Sequence, residues 1–69
     1  MEMRCYGKVE LARRYFPMLG AEQAMRKLRR WIRRNPQLDE ALARCHVSKN
    51  ADFWSRKQVQ LIVDYLDEP

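Results

Sequence analysis

Sixty-nine residues, 46% hydrophobic and 33% charged, describe one small domain spanning 1–69. A chain this short buries only about 60% of the surface its unfolded form exposes, and its periodic apolar content excludes a disordered polyelectrolyte. No apolar run approaches the ~20 residues of a membrane span and the first residues lack a signal peptide's apolar centre, so the expected setting is cytoplasmic, with no membrane partner.

The formal charge of +5 is unevenly placed: residues 1–34 carry ten basic and three acidic side chains, residues 35–69 four basic and six acidic. The positive field therefore belongs to the N-terminal half, which can attract a nucleic acid or a membrane surface and can equally pair with an acidic surface on another protein.

Met1 to Tyr6 shows no period and reads as an extended lead-in, with Tyr6 packing on the domain edge and Gly7 permitting a sharp entry. From Lys8 to Phe16 the spacing is helical, Leu11 with Tyr15 and Ala12 with Phe16 standing four apart. Pro17 ends this helix because proline disfavours helical geometry in the residue before it. Pro17 to Gly20 is then a turn, with Gly20 as the cap of the next helix.

That helix, Ala21 to Arg34, is the most informative stretch. On a helical wheel Ala21, Ala24, Met25, Leu28, Trp31 and Ile32 gather on one side, and Arg26, Lys27, Arg29, Arg30, Arg33 and Arg34 on the other. Glu22 suits the positive end of the helix dipole and lies four residues before Arg26. No acid interrupts residues 23–38. Solvated faces ordinarily mix both signs, so this arrangement favours a polyanion over a merely soluble surface.

Asn35-Pro36 ends the basic helix and opens another, with Asn35 as cap and Pro36 in the first turn. Leu38, Ala41, Leu42 and Cys45 then repeat at helical spacing to about Arg44 or Cys45. His46 to Asp52 is a polar loop, and His46 to Trp54 has room for a small hairpin. Ser55 and Gln58 form a capping box, Trp54 stands where it can staple onto Val59, and Val59, Ile62, Val63 and Leu66 carry the last helix to about Leu66.

The expected fold is all-α, a compact bundle of about four short helices with a helix-turn-helix-like N-terminal pair. The expected core is Leu11, Phe16, Met25, Leu28, Ile32, Leu38, Leu42, Val59, Ile62, Val63 and Leu66. In a helix-turn-helix the first helix braces the second, which enters the DNA major groove. Gln23, near the start of the second helix, can pair with adenine. Arg26, Lys27 and Arg30 follow it into the groove or hold phosphates, and Arg33, Arg34, Arg13 and Arg14 act as backbone clamps. Trp31 belongs more to the core than to a stacking surface.

No catalytic machinery is expected. Cys5, Cys45 and His46 lack the number and spacing of a zinc site. Adjacent Cys45 and His46 point about 100° apart on a helix and lack an orienting third group. Glycine-rich phosphate loops and serine elbows are missing as well. No cofactor, metal or small-molecule substrate is implied.

Two resemblances add to this reading. Glu10-Leu11-Ala12 resembles the opening helix of mercury-resistance-type regulators and phage excisionases, which implies a DNA-binding regulator or mobile-element accessory protein. More widely, Tyr6-Gly7-Lys8, Glu10-Leu11-Ala12, Tyr15-Phe16-Pro17, Leu28, Trp31-Ile32, Pro36, Leu38, Leu42 and the ending Val59, Leu61-Ile62, Leu66, Glu68-Pro69 resemble a family of short bacterial proteins known as a domain of unknown function. The chain departs from that pattern at Trp54-Ser55, where Thr-Pro would follow Phe53, and at Asp67, where a glycine would precede Glu68. The functional expectation is non-enzymatic DNA binding; the alternative is a protein-protein interaction module or a homo-oligomeric structural protein.

Overall fold

A computed structural model describes residues 1–45 and 52–69. Four helices and one short ribbon occur among them: β1 (Tyr6–Gly7), α1 (Lys8–Tyr15), α2 (Ala21–Arg34), α3 (Pro36–Ala43), β2 (Phe53–Trp54) and α4 (Arg56–Leu66). The mostly helical architecture is the expected one, and the helix bounds fall close to the sequence punctuation.

Each boundary has a local cause. Phe16, before Pro17, leaves the helical region at φ −131°, ψ 70° and ends α1. Gly20 caps α2 with extended backbone at φ −67°, ψ 167°. Asn35 accepts from the Leu38 amide at 3.2 Å, which satisfies one of the free N–H groups at the start of α3. Ser55 and Gln58 complete the expected capping box: the Gln58 amide donates to Ser55 Oγ at 3.2 Å and the Ser55 amide donates to Gln58 Oε1 at 2.9 Å.

The helices pack in sequence, α1 on α2, α2 on α3 and α3 on α4, while the ribbon closes against α1 and α4. The ribbon corrects one expectation. Tyr6 pairs with Trp54 and Gly7 with Phe53 in antiparallel register, so Phe53–Trp54 pairs with the start of the chain. Residues 46–51 of the expected loop and hairpin lie outside the described residues. Tyr6, expected at the edge, is only 2% exposed and lies in the core. Its hydroxyl donates to the Glu2 carbonyl at 2.8 Å, so burying the ring leaves no polar atom unsatisfied.

The core comprises Tyr6, Leu11, Ala12, Phe16, Ala24, Leu28, Ile32, Leu38, Leu42, Val59 and Ile62. Met25, Val63 and Leu66, expected within it, are partly buried around it. Ala12 and Ala24 are fully buried on the two helices that pack together, and such small side chains allow their backbones a close approach. Gln58 is buried too, which its capping bond makes tolerable. Fully burying one of the large aliphatic side chains contributes about 1.5–3 kcal/mol, so a core of this size leaves a modest margin.

Among the described residues, no helix is long and apolar enough to cross a membrane.

Candidate nucleic-acid interface

The position of α2 follows from its apolar stripe. Ala24, Leu28 and Ile32 are buried, and Trp31 packs edge-on against Phe16 with ring centroids 4.8 Å apart. Burial of that stripe turns the basic side outward. Gln23, Arg26, Lys27, Arg29, Arg30, Arg33 and Arg34 are all exposed.

Two adjoining surface grooves run along this face. One, of about 390 Å³, is lined by Arg26, Arg29, Arg30, Arg33 and Arg34. The other, also about 390 Å³, is lined by Leu19, Gln23, Arg26, Lys27 and Arg30. Arg26 and Arg30 line both, so the cationic surface is continuous along the helix.

The charges on it are not equivalent. Arg26 is paired with Glu22 at 2.9 Å, and both side chains are well exposed. Such a pair is worth little in water and yields readily to a stronger anion. The Lys27 ammonium lies 4.9 Å from the Phe16 ring centroid, which ties it to the flank of the core. Arg29, Arg30, Arg33 and Arg34 make no ion pair among the described residues. Four guanidiniums on two successive turns repel one another, and a bound anion relieves that repulsion. They also lie toward the C-terminal end of α2, where the helix dipole favours cations.

The structure therefore brings together Gln23, Arg26, Lys27, Arg30, Arg33 and Arg34 of the sequence-predicted set, and adds Arg29. Arg29 lies on the same basic side of the wheel, and that periodicity was signal enough to include it. It also lines a neighbouring groove with Ile32, Arg33, Asp39, Leu42 and Trp54.

Arg13 and Arg14 stand apart. Arg14 lies 5.1 Å from the Tyr6 ring, which Arg4 covers at 3.8 Å, and neither Arg13 nor Arg14 lines the two grooves of α2. The Arg4 guanidinium in turn donates to Glu10 at 2.9 Å. That bond, supported by the Gly7 amide, holds the Glu10 carboxyl below its ordinary value.

Among the described residues, no three His, Cys, Asp or Glu side chains gather as metal ligands. His46, weighed with Cys5 and Cys45, lies outside the described residues. Cys45 is half-buried just past α3, with its thiol directed to the Ala41 carbonyl at 3.5 Å.

Comparison with known proteins places this chain in a family. Residues 2–69 match the family described as a domain of unknown function, DUF4248. The chain belongs to it. The match runs through all six elements, so the helices, the ribbon and the basic face of α2 all fall within the DUF4248 region. No curated protein and no solved structure matches the chain.

Proposed function

We propose that this DUF4248 protein binds DNA, without catalysis, through the basic face of α2. The observation that carries the reading is the groove lined by five arginines and no other residue type. Arginine presents a planar fork of donors that matches phosphate oxygens, and a row of guanidiniums with four lacking carboxylate partners is arranged for a polyanion.

In this reading α1 and α2 form a helix-turn-helix-like pair whose second helix faces the DNA. The five-residue connection from Phe16 to Gly20 is longer than the usual three or four residues, and a helix rather than a wing of strands follows α2. A regulator or a mobile-element accessory protein is the corresponding role.

The test is fluorescence anisotropy of a labelled random-sequence duplex at two salt concentrations, with the wild-type protein and an Arg26→Gln, Arg30→Gln, Arg33→Gln variant. Five phosphate contacts give a log–log salt slope of about −4.5. The wild type should lose about 500-fold in affinity between 50 and 200 mM salt on that slope, and the variant should bind weakly throughout. A folded wild-type protein that does not bind at low salt refutes the reading.

A second reading, docking to another protein or to a second copy, is favoured by one observation. Val9, Met18, Phe53 and Tyr65 are exposed large hydrophobic residues outside α2, and interfaces are anchored by such side chains more than by rim charges. In that case Phe53→Ala reduces association more than loss of Arg30.

A further inference from the structure

The arc of cations on α2 is wide enough to meet two strands at once. At about 100° per residue, the exposed basic residues run round the helix in the order Arg29, Arg33, Arg26, Arg30, Arg34, Lys27, and they span about 160°. Gln23 falls between Arg30 and Arg34. The rest of the circumference is the buried side, with Ala24, Leu28 and Ile32 in the core and Trp31 against Phe16. One edge of the arc is Arg29; the other is Arg34 with Lys27, the latter held at its edge by the Phe16 ring. Arg26 and Arg30 flank the middle, and Gln23 lies nearer the Arg34 edge.

A helix with its side chains is about 10–12 Å across, and the B-form major groove is about 12 Å wide. A helix seated there meets a phosphate wall on either side and base edges along its middle. We infer that the ligand of α2 is double-helical B-form DNA, with Arg29 on one strand's phosphates, Arg34 and Lys27 on the other's, and Arg30 facing the bases between. This rests on the DNA-binding reading and narrows it. The base-facing position is the middle of the helix rather than its first turn, because Glu22 occupies the first turn and is paired with Arg26.

Two alternatives fit the same surface less well. Single strands are held by aromatic platforms, and the arc contains none: Trp31 packs edge-on against Phe16. Double-helical RNA presents a deep, narrow major groove that a helix does not enter.

The experiment is competition. A labelled random-sequence DNA duplex bound to the full chain is displaced by the unlabelled duplex, by one of its strands, or by an RNA duplex of the same sequence. The duplex DNA should compete at least about tenfold better than either of the others.

Salt titrations then separate edge from middle. Arg29→Gln and Arg34→Gln should each make the log–log slope shallower by about 0.9, the loss of one phosphate contact. Arg30→Gln should leave the slope unchanged and alter preference among duplexes of different base composition. All three side chains are exposed, so these variants keep the fold, which circular dichroism checks.

Equal competition by the single strand or the RNA duplex overturns the inference while leaving nucleic-acid binding intact. An Arg30→Gln variant whose slope falls like the edge variants overturns it in the same way. No binding to any of the three overturns the DNA-binding reading and this inference with it.

Discussion

Asp67 is the residue whose local conformation is hardest to account for from its type. It follows α4 with φ 67° and ψ 172°, a region that is open to glycine and costs other residues of order 1–3 kcal/mol. What holds it there is distant in sequence: the Tyr15 hydroxyl donates to the Asp67 carbonyl at 2.6 Å. The position where the resemblance implied a glycine thus carries backbone strain. Asp67→Gly should relieve it and raise stability by about 1 kcal/mol, seen as a rise in Tm of about 4–8 °C for a domain of this size. An unchanged or lowered Tm would show that aspartate is not strained here.

At the scale of elements, the helices differ in how their starts are secured. Asn35 and Ser55 cap α3 and α4 with side-chain oxygens, whereas α2 begins at Gly20 with no side-chain cap. The Gly20 backbone is already in the extended geometry of a cap, and a Cβ placed there would have nothing within 4 Å. Gly20→Asp should therefore add a hydrogen bond to a free N–H and place a negative charge at the positive end of the dipole, for about 0.5–1 kcal/mol. Chemical denaturation should show a higher midpoint at unchanged m-value; a lower midpoint would mean that the turn from α1 needs glycine for another reason.

At the scale of the molecule, contacts between the two ends of the chain close the fold. Tyr15 on α1 reaches Asp67, the Met1 ammonium lies 3.3 Å from Glu68, and the ribbon joins residues 6–7 to 53–54. Burial, with the nearby charges of Asp67 and Glu68 adding to it, pushes the Tyr15 phenol up from 10.0 to about 12. The unfolded chain releases this proton near pH 10 while the folded chain keeps it until about pH 12. Stability from this group is thus fully present below pH 10 and is lost as the pH rises through that window. Unfolding free energies across the window should fall more steeply for wild type than for Tyr15→Phe. Equal slopes would show that the phenol titrates alike in both states.

The helix bounds were legible because their causes are local. Proline geometry, the Asn35 and Ser55 caps and the 3.6-residue repeat act within a few residues, and the outward arginine face of α2 follows from the apolar stripe opposite it. Arg29 was legible on the same grounds. The burial of Tyr6 was not, since a two-residue strand carries no period and its partner lies about fifty residues away. Nor was the conformation of Asp67, which depends on a hydroxyl in another helix, or the separation of Arg14 from the α2 grooves, which follows from its packing beside Tyr6. Where the chain turns and which side of each helix is apolar could be read from the residue order, because those depend on neighbours along the backbone. Tertiary structure alone decided which ends meet, which ring fills the centre and which cations share one surface, because those depend on residues brought together only by folding.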